Sequence, residues 1–163
     1  MKKYKVVFIL LNLVALLVYF NYNVIKKEEV LNNGQLVLLG LAPVDPRSLM
    51  QGDYMALRYA IAENTGTDEL PKRGYCILKL DSHNRARRIR FQKDVRPLYE
   101  GEYLIKYIAP NPTTINIGAE SSYFFQEGEG TKLEKAKYGG VKIDTQGNSI
   151  LIGLYDENLN LIK

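Results

Sequence analysis

The chain has 163 residues, enough for one domain with an appendage. Charged residues make up 25% and apolar residues 46%, which excludes a disordered chain. Part of the net charge of +4 comes from lysines around the apolar N-terminal stretch, so a nucleic-acid partner is not expected. With one cysteine, Cys76, and one histidine, His83, the sequence predicts no disulfide, no metal site and no cofactor.

The first predicted element is an apolar helix. Residues 6–20 read VVFILLNLVALLVYF, interrupted by Asn12 alone. With its tyrosine flanks the run covers residues 4–22, about 28 Å as a helix, close to the thickness of a hydrocarbon core. The pattern predicts a membrane anchor over residues 1–25, a juxtamembrane linker over 26–35 and an outer domain over 36–163.

The charges around this helix predict its orientation. Lys2, Lys3 and Lys5 precede the apolar run, which favours a cytoplasmic N-terminus and an outer domain beyond the inner membrane, in the periplasm if the cell is Gram-negative. A cleaved signal peptide is the alternative. Cleavage needs small residues after the run, and the exit over residues 18–23 reads VYFNYN, so an uncleaved single-pass anchor is favoured.

Alternating apolar residues and turn signals predict a compact, mainly β (β-rich α+β) outer domain. The predicted strands cover residues 36–41, 53–62, 74–80, 86–92, 103–109, 113–117, 141–144 and 149–155. Two hairpins are expected, one around residues 81–84 and one around residues 145–148. Cys76 lies within a strand and is expected to be buried, whereas Pro110 is expected to end a strand.

Two short helices are predicted among the strands. Asp45, Pro46 and Gly52 are placed to begin and end one helical turn. Thr131 begins a capping box, and Gly139 is expected to end the helix that follows.

A weak internal repeat accompanies these elements. Residues 45–54 and 94–103 both fit D-x-R-x-L-x-x-G-[D/E]-Y, at an offset of forty-nine. At an offset of forty-eight, Tyr59 then matches Tyr107. Two copies of one unit would pair about a pseudo-two-fold axis, although two turn-then-strand segments also share glycine and aspartate by chance.

The segment Gly52–Tyr59 reads GDYMALRY and fits the signature G-D-Y-x-x-L-x-Y. With the blocks at residues 43–47, 120–128, 136–139 and 150–154, the chain resembles the bacterial membrane-anchored GDYxxLxY family over roughly residues 36–161. This resemblance implies an N-terminal anchor and an outer domain that commonly accompanies a polytopic membrane protein. It carries no activity over to this chain.

The signature and the aromatic block at residues 123–128 predict a surface that docks on a polytopic membrane protein. Its candidate residues are Asp45, Arg47, Asp53, Tyr54, Arg58, Tyr59, Glu120, Phe125 and Glu127. One alternative is a small-ligand or peptide site, with Arg47 and Arg58 clamping a carboxylate or phosphate. Another is purely structural, in which Gly52 and Asp53 form a tight turn before a core strand.

An enzyme is not predicted. Residues 44–53 resemble the S-x-x-P-T-L-x-x-G-D region of type I signal peptidases, whose serine nucleophile pairs with a lysine base. In that alignment Val44 occupies the nucleophile position, and Ser48 falls on the threonine. Lys79 or Lys106 would be the base, with no nucleophile to activate.

Four arginines, Arg85, Arg87, Arg88 and Arg90, form a dense basic run. If Ile89 and Phe91 point inward along a strand, Arg88 and Arg90 share an outward face. Such a face is either merely solvated or attracts anionic headgroups or an acidic partner.

Overall fold

A computed structural model describes residues 2–42, 54–63, 70–111, 114–118, 122–125 and 130–162. The helices are α1 (Lys2–Asn33) and α2 (Gly130–Leu133), and a 3-10 turn covers Ala60–Ala62. The strands are β1 (Gln35–Gly40), β2 (Tyr54–Ala56), β3 (Arg73–Leu80), β4 (Ala86–Gln92), β5 (Glu102–Asn111), β6 (Thr114–Ile117), β7 (Ser122–Phe124), β8 (Tyr138–Ile143) and β9 (Ser149–Tyr155). The prediction of one long N-terminal helix followed by a mainly β domain is confirmed.

The strands form three antiparallel groups. One sheet has the order β1-β8-β9, a second has the order β4-β3-β5-β6, and β2 pairs with β7 in a two-stranded ribbon. The two sheets contact each other at two places: Leu38 of β1 forms a bridge with Arg85, the residue before β4, and Lys106 N–H of β5 donates to Gly147 C=O in the β8–β9 turn. Their inner faces enclose one core.

Side chains that alternate along the strands form that core, since every second one points inward. Val37 and Leu39 of β1, and Cys76 and Leu78 of β3, point into it and are almost fully buried. Burial raises the pKa of the Cys76 thiol to about 12, as expected for a thiol that packs as a small apolar side chain. The predicted burial of Cys76 is confirmed.

Three turns of the domain share one design. In each, an aspartate Oδ1 accepts the backbone N–H four residues further on, at 2.8–2.9 Å. The fourth residue of each turn has a positive φ: Asn84 (60°), Gly147 (77°) and Leu159 (63°). The first two turns join β3 to β4 and β8 to β9, which confirms both predicted hairpins.

Two predicted ends of secondary-structure elements are wrong. β5 runs through Pro110 to Asn111, because Pro110 falls where the pairing with β6 shifts register between Ile108 and Asn111 and no ladder donor is needed. Gly139 does not end a helix; it lies in β8, opposite Leu39. A Cβ at this position would lie 2.9 Å from Cε1 of the Tyr59 ring, which leaves no room for a side chain.

The strand predicted over residues 53–62 is also too long. β2 ends at Ala56, and the 3-10 turn Ala60–Ala62 follows. The helical turn predicted for residues 45–52 lies outside the described residues, as does most of the first copy of the repeat. In the second copy, Glu102 and Tyr103 begin the ten-residue β5, which is much longer than β2. Because most of the first copy lies outside the described residues, the repeat stays a prediction.

The long N-terminal helix joins the domain without an irregular segment. Residues 26–33, assigned from sequence to a linker, continue α1, which contacts β8 and β9. Val30 is 5% exposed, and Gly34 has no room for a Cβ against the carbonyl oxygens of Val30 and Ile143. Within the described ranges, α1 is the one helix long and apolar enough to span a membrane.

Candidate functional site

The signature strand lies beside the aromatic block of residues 122–125. In the ribbon, Tyr54 is opposite Phe124, Met55 is opposite Tyr123, and Ala56 is opposite Ser122. Almost seventy residues separate the two strands in sequence. The fold therefore brings together two of the segments that were selected as candidate docking elements.

Beyond β2, the signature is held by the core. Leu57 is 6% exposed and Tyr59 is 4% exposed, and both belong to the main core cluster. The Tyr59 ring lies over Gly139, where a Cβ would be 2.9 Å from Cε1 of that ring. Arg58, between them, is exposed, and its carbonyl oxygen accepts a hydrogen bond from Ala42 N–H at 2.8 Å. Leu57 and Tyr59 thus fix the ribbon to the domain, as the structural interpretation of the signature expects.

The other strand of the ribbon presents an aromatic side chain to solvent. Phe124 is 76% exposed. Its neighbours Tyr123 and Phe125 are partly buried and pack against the core. β7 therefore has an anchored inner side and an outward phenyl ring.

The structure describes part of the predicted candidate set. Arg58, Tyr59 and Phe125 lie near the ribbon or beneath it, whereas only the backbone of Tyr54 is described. The other candidates lie outside the described residues: Asp45, Arg47, Asp53, Glu120 and Glu127. Phe124 was not among the predicted site residues, since strand alternation could not be assigned there before the pairing with β2 was known.

The two segments that meet in the ribbon are among those that carry the family resemblance. The family model described as GDYXXLXY protein matches residues 16–154. The chain belongs to this family. Neither a curated protein nor a solved structure matches it. Within the GDYXXLXY domain, the described part of the signature therefore includes the ribbon strand 54–56 and the core residues Leu57 and Tyr59.

The predicted outward face of the basic run is wrong. A β-bulge places Ile89 between the pairs Ile77–Arg90 and Leu78–Arg88, which shifts the alternation of β4 by one residue. Ile89 is 45% exposed as a result. Arg88 shares a face with Phe91 instead, with its guanidinium 5.2 Å from the ring centroid.

Three of the four arginines have partners within the domain. Arg88 donates to the carbonyl oxygens of residues 61 and 63 at 2.6 and 2.9 Å, and so holds the end of the 3-10 turn. Arg85 pairs with Asp81 at 2.7 Å, and Arg90 pairs with Glu102 at 2.6 Å. These contacts stabilise turns and a loop, and two of the four positive charges of the predicted basic patch are paired with carboxylates.

The peptidase alternative gains no geometric support among the described residues. Lys79 and Lys106 are both exposed on strands, and Lys106 Nζ donates to Asn148 Oδ1. Ser48 lies outside the described residues. Open, apolar grooves run along α1, lined by residues such as Leu17 and Ile25.

Proposed function

We propose that this GDYXXLXY protein is a single-pass, membrane-anchored module, with its domain outside the cytoplasm, and that it docks on a partner integral membrane protein through the β2–β7 ribbon. The observation that carries the proposal is the pairing of Tyr54–Ala56 with Ser122–Phe124, which leaves the Phe124 ring 76% exposed. A large aromatic ring on a fixed backbone is the kind of side chain that dominates protein interfaces.

The placement of the ribbon supports a docking role. Leu57 and Tyr59 anchor one strand in the core, and Tyr123 and Phe125 pack on the core from the other. The ring of Phe124 is therefore presented by a backbone with little freedom to lose on binding. The joint at Val30 and Gly34 fixes this surface relative to α1, so the ribbon stands at a defined height above the membrane.

The same geometry gives less support to a small-ligand site. Small molecules bind in concave, largely enclosed pockets. The ribbon instead presents an aromatic ring that is 76% exposed. A flat or protruding aromatic surface favours a protein partner.

Site-specific photocrosslinking in the native host membrane tests the proposal. A photoreactive phenylalanine analogue replaces Phe124 in one variant and Gln146 in the control. Gln146 is exposed in the β8–β9 turn, whereas the signature contacts β8 at Gly139, near the other end of that strand. We expect position 124 to capture a polytopic membrane protein and position 146 not to capture it.

A second variant, Phe124→Ser, should abolish co-purification of that partner while it lowers the thermal melt of the chain much less than a core substitution would, because the ring is 76% exposed and lies outside the core cluster. Docking through the ribbon is contradicted if position 124 captures no membrane protein, or if Phe124→Ser leaves co-purification intact.

A further inference from the structure

The loop of residues 93–101, between β4 and β5, is held by side-chain hydrogen bonds from residues at the ends of both strands. Arg90 makes a bidentate pair with Glu102, at 2.6 and 2.8 Å, and its Nη2 also donates to Pro97 C=O at 3.0 Å. Gln92 Nε2 donates to the carbonyl oxygens of Asp94 and Pro97 at 2.7 and 3.2 Å. We call this group the loop clamp: Arg90, Gln92 and Glu102.

The clamp fixes one aromatic residue in an exposed position. Tyr99 N–H donates to Glu102 Oε2, and Glu102 N–H donates to Tyr99 C=O, both at 3.0 Å. The guanidinium of Arg90 lies 5.4 Å from the centroid of the Tyr99 ring. Even so, Tyr99 is 65% exposed, and its neighbour Leu98 is 39% exposed. Core packing does not explain a rigid loop that holds apolar side chains in solvent.

Strand pairing places this end of the loop beside the point where α1 enters the domain. Glu102 is opposite Lys79 on β3, two residues before the β3–β4 turn begins at Asp81. Asn84, in that turn, accepts Leu38 N–H at 2.8 Å and contacts the side chain of Gln35 at 3.3 Å. Because Gln35 is the first residue of β1, Tyr99 lies at the helix-proximal end of the domain.

The helix joint keeps that end near the bilayer. Ile25 is the last residue of the apolar part of α1, and Gln35 follows ten residues later, roughly 15 Å along a helix axis and less if the helix tilts. A tyrosine side chain and the layer of headgroups together span most of that distance. The helical, packed joint allows no looping that would lift the domain away.

We propose that Leu98 and Tyr99 rest in the headgroup layer of the same membrane that holds α1, so that the domain has a second, peripheral contact with lipid. Tyrosine and leucine suit this layer, where one part of a side chain is apolar and the other is wet. Arg87, exposed at the same end of β4, adds attraction to anionic lipid. The proposal rests on the membrane anchor and is independent of docking through the ribbon.

The chain contains no tryptophan, so a single introduced tryptophan reports on its own position. Tyr99→Trp is the probe. Lys137→Trp is the matched control, because Lys137 is exposed and its carbonyl oxygen accepts Leu41 N–H, at the end of β1 that is farthest from α1. The full chain is reconstituted in vesicles of phosphatidylcholine and phosphatidylglycerol that include lipids brominated either near the headgroup end or near the methyl end of the acyl chain.

Contact with the headgroup layer predicts three results for the Tyr99→Trp chain. Its emission shifts to shorter wavelength, iodide present on both sides of the vesicle quenches it weakly, and lipid brominated near the headgroup quenches it more than lipid brominated near the methyl end. The control should show the opposite: strong quenching by iodide and none by brominated lipid. Adding Arg90→Lys, which keeps the charge but loses the bidentate pair, should move the probe toward the behaviour of the control.

Three results would overturn the proposal. The first is a probe at position 99 that iodide quenches as strongly as the control. The second is a probe shielded from iodide but untouched by brominated lipid, which would indicate contact with a second protein chain. The third is an Arg90→Lys variant whose lipid quenching is unchanged. The vesicles contain no partner protein, so none of these results bears on crosslinking at Phe124.

Discussion

The Tyr107 hydroxyl is the one buried side-chain polar atom of the described residues that lacks a hydrogen-bond partner. Tyr107 is 1% exposed, and its ring packs edge-on against Phe91 with centroids 5.0 Å apart. Gly74 lies beneath it, so close that a Cβ there would be 2.9 Å from the hydroxyl oxygen. Burial raises the pKa of this phenol, so the group stays neutral at ordinary pH.

Removing this hydroxyl should stabilise the domain. A buried polar group without a partner costs about 1–3 kcal/mol, and Tyr107→Phe removes that cost while keeping the ring and its contact with Phe91. We expect the free energy of unfolding to rise by about 1 kcal/mol, which for a domain of this size raises Tm by roughly 3–5 °C. Urea and thermal unfolding of the full chain in detergent, followed by circular dichroism, measure both quantities.

A matched variant separates the ring from the hydroxyl. Tyr107→Leu also removes the hydroxyl but loses the aromatic contact and leaves a void, so it should lower the free energy of unfolding by more than about 1 kcal/mol. If Tyr107→Phe instead destabilises the chain by 1 kcal/mol or more, the hydroxyl has a partner among residues that the structure does not describe, and the reasoning fails.

Three further substitutions follow from the same geometry. Gly139→Ala should destabilise the chain by about 1–3 kcal/mol, since its Cβ would press on the Tyr59 ring. The control Gly40→Ala, with open space around the added Cβ, should be nearly neutral. Equal effects of the two variants in urea melts would count against close packing at Gly139. Leu159→Gly should stabilise by about 0.5–1 kcal/mol, because a left-handed φ of 63° strains a leucine, and a lower Tm would show that its side-chain packing matters more. The paired guanidinium lowers the pKa of Glu102 when folded, so its stabilisation is present above its ordinary pKa and is lost as the pH falls through the lowered one. Glu102→Gln should therefore flatten the loss of Tm on acidification, and an unchanged pH profile would contradict the clamp.

Among the docking candidates, the segments themselves could be predicted from the sequence, but their pairing could not. The signature and the aromatic block were both found from sequence, and burial of Tyr59 agrees with a packing role. Neither segment by itself indicates that they pair, because almost seventy residues separate them and strand pairing is a long-range choice. The exposed ring of Phe124 follows from that pairing and could not be assigned earlier.

Elements whose cause is local can be predicted from the sequence alone. A continuous apolar run suffices for α1, since its backbone groups bond within the helix. The hairpins at Asp81 and Asp144 follow from an aspartate that binds its own turn.

Tertiary structure decided what depends on a neighbouring strand. The bulge at Ile89 reverses which arginines face inward, Pro110 is tolerated where pairing shifts register, and Gly139 serves as a gap for a tyrosine ring. In each case the partner across the sheet sets the outcome, through hydrogen-bond register and the space that remains, and this overrides the residue's own preference.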